Sequence, residues 1–235
     1  MERVCVVPGD ADRDDGALGE AARAAARQIR FLMKDAQVLA VSGGSTIART
    51  AEAVMAAAPM DITVVPAQGG MGAGVKTQAN TLAERFAERL GGRHCPLHLP
   101  DGLSGMATAE LARLPQVREA LELMREADVL LYGAGPALVL ARRRGMSLPE
   151  QEELAREGAV GEALGFYFDA RGRIVGKSGS LALQAQELGR KNRAAMVAAG
   201  TSKADAILAI CAHHPHKLLV TDEGAAQRMA ERLKL

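Results

Sequence analysis

Short runs of Val, Leu and Ile recur along the chain and alternate with longer stretches whose apolar residues repeat at helical spacing. That alternation is the signature of βαβ units, in which strands buried on both faces form a parallel sheet and amphipathic helices cover it. Val4–Val7, Val38–Val41 and Ile62–Val65 read as such strands. Between the first two, Leu18, Ala21, Ala22, Ala25, Ile29 and Leu32 fall on one helix face. The next helix is expected from the Ser42–Thr46 loop through Ala57, and another from about Thr77 to Leu90. Cys95–Leu99 and Val129–Tyr132 read as further strands, with a helix over Val117–Ala127 between them. Ala195–Ala199 and Leu218–Val220 return to the pattern, ahead of helices starting near Lys203 and Glu223. This makes five or six repeats. One segment differs: Phe166-Tyr167-Phe168 and Arg173-Ile174-Val175 flank Asp169-Ala170-Arg171-Gly172, a β-hairpin turn signal. The predicted fold is α/β, a Rossmann-like parallel sheet flanked by helices with a small antiparallel β-hairpin insertion, in one domain spanning residues 1–235.

Bulk chemistry removes several functions. The 29 basic and 28 acidic residues leave a net charge of +1, so no overall field draws this segment to a polyanion such as DNA. Aromatic content of 3% without Trp leaves few platforms for stacking bases. Cys5, Cys95 and Cys211 are odd in number and lack CxxC spacing, which argues against a disulfide framework or a zinc site and fits a reducing cytoplasm. No apolar run approaches the roughly 20 residues of a membrane span, and Met1-Glu2-Arg3-Val4 lacks the apolar core of a signal peptide. The expectation is a cytoplasmic protein with no membrane partner.

Ser42-Gly43-Gly44-Ser45-Thr46 lies between a strand and a helix, where glycines let backbone amides approach an anion and the helix N-terminus adds partial positive charge. Its hydroxyls can donate to phosphate oxygens. An ordinary helix N-cap explains the same residues. Gly200-Thr201-Ser202-Lys203 repeats the pattern, so two loops would face one crevice at the carboxyl ends of the strands, with Lys203 as a point charge for phosphate or as an exposed first-turn lysine. Glu162, after the small-residue run Gly158-Ala159-Val160-Gly161, can accept from sugar hydroxyls or be a solvated surface carboxylate. The triplet Arg142-Arg143-Arg144 can pair with a second phosphate or form a solvated basic run. His213, His214 and His216 lack the one-face helical spacing of a zinc site, so no metal is expected. No GxSxG elbow and no evident Cys–His pair occurs, so no catalytic residue is assigned.

Taken in order, Val7-Pro8-Gly9-Asp10, Val41-Ser42-Gly43-Gly44-Ser45-Thr46, Val65-Pro66-Ala67-Gln68-Gly69-Gly70, Gln78-Ala79-Asn80-Thr81, Gly158-Ala159-Val160-Gly161-Glu162, Ser202-Lys203-Ala204 and Leu219-Val220-Thr221-Asp222-Glu223 resemble the effector-binding domain of the SorC family of sugar-responsive repressors over nearly all 235 residues. The resemblance implies a fold like that of sugar-phosphate isomerases and deaminases, with catalysis absent and the old crevice sensing a phosphorylated sugar. It implies the effector domain of a bacterial repressor of glycolytic genes, with no cofactor and with fructose 1,6-bisphosphate or a related sugar phosphate as effector. A homodimer or homotetramer is expected, contacting operator DNA only through the family's N-terminal DNA-binding domain, which lies outside these residues. By position, Gly44, Ser45, Thr46 and Lys203 match phosphate-holding residues, and Gln78, Arg143 and Glu162 match residues that contact the rest of the ligand. Gln68 departs: it stands where the glycolytic branch of the family carries Arg, and an amide cannot make a charge-assisted fork to phosphate. Losing such a contact costs about 1.5–3 kcal/mol unless Arg142, Arg144 or Lys76 reaches the same phosphate. Glucose 6-phosphate, fructose 6-phosphate and dihydroxyacetone phosphate are therefore kept as candidates. The alternative is an isomerase, deaminase or lactonase using the same loop. Where such enzymes are expected to carry Asp-Gly-His this chain has Gly133-Ala134-Gly135-Pro136-Ala137, which leaves only Glu162 and Asp222 as suspect carboxylates.

Overall fold

The computed structural model describes residues 1–33, 37–69, 74–97, 99, 105–178 and 193–234. Seven strands form one parallel sheet in the order β1-β11-β10-β5-β2-β3-β4. They are β1 (Arg3–Val7), β2 (Val38–Val41), β3 (Thr63–Pro66), β4 (Arg93–His94), β5 (Val129–Gly133), β10 (Ala194–Val197) and β11 (Leu218–Asp222). Both faces of the inner strands are buried, so their residues alternate between two cores rather than between core and water. Leu39, Val41, Val129, Leu131, Ala195, Val197, Leu218 and Val220 belong to one core. Their neighbours Ala40, Leu130, Tyr132, Ala194, Met196 and Leu219 belong to the other.

Three helices cover the first face: α1 (Asp15–Leu32), α2 (Ser45–Ala53) and α3 (Ala79–Leu90). The alanine-rich stripe of α1, including Ala21, Ala24, Ala25 and Ile29, is fully buried and lets this helix approach the sheet closely. The second face is covered by α5 (Pro115–Glu126), α8 (Ala204–His213) and α9 (Glu223–Leu233), which contribute Leu121, Met124, Ile207, Ile210 and Ala225. A further helix, α4 (Gly105–Leu111), precedes α5.

The predicted hairpin is present as β8 (Phe166–Asp169) and β9 (Ile174–Lys177), but it is half of a four-stranded sheet. Two further antiparallel strands, β6 (Gly135–Pro136) and β7 (Ala159–Ala163), complete it, and α6 (Ala137–Arg143) and α7 (Leu148–Arg156) lie between them in sequence. Leu154 and Tyr167 join these helices to the small sheet in a third, separate core.

Three expected boundaries are corrected. The strand expected over Cys95–Leu99 is only Arg93–His94: Cys95 N still donates to Val64 O (3.0 Å), but Leu97 is held by the Asn80 amide, through Leu97 N to Asn80 Oδ1 and Asn80 Nδ2 to Leu97 O, both at 2.8 Å. This side-chain clamp replaces the ladder. The helix expected to reach Ala57 ends at Ala53, and the helix expected from Thr77 begins at Ala79 after a 310 turn over Val75–Thr77. Residues 70–73 of the Gly-rich loop lie outside the described residues.

Candidate functional site

The sheet reverses its winding between β2 and β5: β3 and β4 add outward on one side, β10 and β11 on the other, and β1 closes the far edge beside β11. A crevice opens at the carboxyl ends of strands beside such a reversal. Here it is a cavity of about 910 Å3. All eight residues expected at the site, Gly44, Ser45, Thr46, Gln68, Gln78, Arg143, Glu162 and Lys203, line it.

The loop after β2 is shaped by close backbone approach. A side chain on Gly43 would bring its Cβ within 2.7 Å of the Thr77 carbonyl, and Gly44, at φ 116°, lies where L-residues are strained. Gly44 N donates to Thr77 O (2.9 Å), and Ala48 N makes the first intrahelical bond, to Gly44 O (2.9 Å). The amides of Ser45, Thr46 and Ile47 thus precede the intrahelical ladder, no side chain among the described residues caps them, and all three residues line the cavity. Lys203 Nζ donates to Thr46 Oγ1 at 3.2 Å. Burial lowers the Lys203 pKa, Arg143 lowers it further, and the carboxylates of Asp12 and Asp222 pull it upward.

The second loop does not repeat this arrangement, although the sequence predicts that it does. Carboxylates from the β1–α1 loop occupy its amides: Thr201 N donates to Asp10 Oδ1 (3.1 Å) and Ser202 N to Asp12 Oδ2 (2.6 Å). The hydroxyls follow, Thr201 Oγ1 to Asp10 Oδ2 (2.8 Å) and Ser202 Oγ to Asp12 Oδ1 (3.0 Å). Gly200, at φ 113°, admits this grip, since a Cβ there would lie 2.6 Å from Asp12 Oδ1. Only the Lys203 ammonium of this segment remains as an anion ligand. Asp222, fully buried, accepts from Ala225 N (2.9 Å) at the start of α9 and from Ala11 N (2.7 Å), so it anchors the β1–α1 loop rather than facing the cavity.

The basic triplet divides. Arg142 Nε donates to Gln151 Oε1 (3.2 Å), and Arg143 reaches the cavity without an ion pair among the described residues. Arg144 Nη2 donates to Glu162 Oε1 (2.9 Å), and the Gly165 amide donates to the same oxygen (2.6 Å). Glu162 is therefore neither a lone carboxylate nor a surface one: it is 3% exposed, paired, and set by β7 against β6. Arg144 is the ion-pair partner that sequence reasoning did not assign. Gly135 and Pro136 form β6 and pair with Glu162 and Gly161, so they build the cavity wall.

The histidines lie elsewhere. His214 Nε2 is 3.0 Å from the Tyr132 hydroxyl, His216 Nε2 approaches the same hydroxyl, and the imidazole centroids are 4.3 Å apart. Burial holds both neutral, with pKa values lowered to about 3 for His214 and about 4 for His216. Among the described residues no cluster of three or more His, Cys, Asp or Glu is placed to hold a metal.

An α/β domain with an amide-lined, cation-bearing crevice at the switch point is a small-ligand-binding domain in class. Residues 1–231 match the family model described as "Putative sugar-binding domain", and the chain belongs to that family, as the sugar-binding domain of a SorC-type transcription regulator. It is 35% identical over 231 residues to the Central glycolytic genes regulator of Priestia megaterium, covering 97% of this chain and 68% of that protein. It is 24% identical to the Deoxyribonucleoside regulator of Bacillus subtilis, covering 93% of this chain and 72% of that one. Among solved structures it superimposes on "the putative SorC family transcriptional regulator from Enterococcus faecalis" with a TM-score of 0.90 and 32% identity, covering 97% and 94% of the two chains. The full-length sorbitol operon regulator SorC of Klebsiella pneumoniae shares the fold at 18% identity with a TM-score of 0.88, covering 97% of this chain and 77% of that one. The resemblance read from the ordered motifs and the α/β fold expected with it both hold. No described helix is long and apolar enough to cross a membrane.

Proposed function

We propose that this domain binds a phosphorylated sugar as the effector of a transcription regulator of glycolytic genes. The observation that carries the reading is the first turn of α2, whose three amides have no side-chain cap among the described residues and share one cavity with the half-buried Lys203. Amides at a helix N-terminus and one ammonium are what a phosphomonoester dianion requires. The cavity volume falls in the range of small-molecule sites. The paired Glu162 and the Gln68 and Gln78 amides offer acceptors and donors to hydroxyls. Fructose 1,6-bisphosphate is nominated by the family resemblance, and the glycolytic target class by the 35% identity to the Priestia megaterium regulator. Binding changes the oligomer, and through it operator occupancy by another part of the regulator, only if the ligand prefers one quaternary arrangement.

A thermal-shift panel of fructose 1,6-bisphosphate, fructose 6-phosphate, glucose 6-phosphate and dihydroxyacetone phosphate tests this. A rise in Tm with at least one of them, lost in Lys203→Ala, supports the reading. Flat curves for all four overturn it.

A further inference from the structure

Two of the three cations that line the cavity, Lys203 and Arg143, interact with one another. Lys203 sits at the first turn of α2, and Arg143 is near enough to act on its ammonium. Arg144, the third cation, is already bonded to Glu162. Gln68 and Gln78 add two neutral amides to the lining, and the first of them is incomplete: Gln68 Oε1 is buried and has no hydrogen-bond partner among the described residues. Its amide lies against the loop that opens α2, with Nε2 3.5 Å from where a Cβ on Gly43 would stand. A buried orphan acceptor is satisfied by a donor. A sugar hydroxyl has one, and a phosphate dianion has none.

We propose that the cavity selects a sugar bearing one phosphoryl group and a neutral, hydroxylated remainder, and that Gln68 sets this selectivity by accepting from a ligand hydroxyl. This rests on the phosphosugar reading and narrows it. One dianion is matched by the α2 amides, Lys203 and Arg143. The rest of the charged lining offers a second dianion little, since Arg144 is engaged by the Glu162 carboxylate and Asp12 adds a negative charge.

Isothermal titration of the whole chain with fructose 6-phosphate, glucose 6-phosphate, fructose 1,6-bisphosphate and inorganic phosphate tests it, in the unsubstituted protein, Gln68→Arg and Gln68→Leu. The expected result is a hexose monophosphate bound at least about tenfold more tightly than the bisphosphate, a preference that Gln68→Arg shifts by about tenfold toward the bisphosphate. Gln68→Leu weakens the monophosphate about tenfold and leaves inorganic phosphate within about twofold. A bisphosphate bound more tightly than both monophosphates, or a preference indifferent to Gln68→Arg, overturns the proposal while leaving the phosphosugar reading intact. Binding of inorganic phosphate with no response to any sugar phosphate overturns the phosphosugar reading, and this proposal with it.

Discussion

Two loops of this domain have nearly the same local chemistry and opposite fates. Gly43-Gly44-Ser45-Thr46 follows β2 and Gly200-Thr201-Ser202-Lys203 follows β10. Each places a glycine at φ near +115° just before hydroxyl residues that open a helical turn. The first leaves the amides of Ser45 and Thr46 without a side-chain cap among the described residues, and the second has the amides of Thr201 and Ser202 taken by Asp10 and Asp12 from nearly 200 residues away in sequence. A carboxylate in a loop of this kind is an internal stand-in for the anion the other loop is free to bind. An anion-binding geometry is therefore a property of the backbone, but an anion-binding site exists only where no acidic side chain arrives first.

The largest break in the comparison should come from removing what holds the closing loop in place. Asp222 accepts two amides, one of them Ala11 N at the centre of the segment that carries Asp10 and Asp12. Asp222→Ala leaves both donors without that acceptor in a fully buried position and is expected to lower stability by about 3 kcal/mol, measured by urea denaturation. Loss of less than about 1 kcal/mol would mean that the β1–α1 loop is held in some other way. Next comes the residue that joins the two loops. Lys203→Ala should weaken phosphosugar binding about tenfold to a hundredfold by titration calorimetry, the loss of one charge-assisted contact. An unchanged Kd would show that the α2 amides alone hold the anion. Smaller again is Asp12→Ala, which frees the Ser202 amide and removes a carboxylate from the cavity lining. Stability should fall by about 1 kcal/mol and phosphate affinity rise several-fold, roughly threefold to tenfold. Affinity that fell instead would mean that the closed loop is needed to position Lys203.

The same contrast separates what the sequence discloses from what it does not. Period and punctuation mark β2, β5, α1 and the β8–β9 hairpin because their signals are local: Val38–Val41 is an apolar run, α1 carries its alanine stripe, and Asp169–Gly172 is turn chemistry. The eight site residues converge on one cavity because the strand ends of a parallel sheet bring their loops together. What stays hidden depends on partners far along the chain. The ladder past β4 gives way to the Asn80 clamp on Leu97, β6 is two residues long, and β7 is built from Ala159-Val160-Gly161-Glu162-Ala163, which has little β propensity apart from Val160. Nor does anything near Thr201 and Ser202 announce the two aspartates that cover them.

The finest test compares one serine from each loop, Ser45 and Ser202. The Ser45 hydroxyl makes no hydrogen bond among the described residues, whereas the Ser202 hydroxyl donates to Asp12. If one loop is a ligand site and the other an internal joint, the two alanine substitutions must divide oppositely. Ser45→Ala should leave the melting temperature of the free protein unchanged and weaken the sugar phosphate by about threefold to tenfold, one hydrogen bond to a charged group made only in the complex. Ser202→Ala should lower unliganded stability by about 0.5 kcal/mol and leave the Kd unchanged, since its bond exists before ligand arrives. Thermal melts and calorimetry on the pair read both quantities. Equal effects on affinity would mean that the Asp12 grip opens when ligand binds, and the two loops would then be one site in two states.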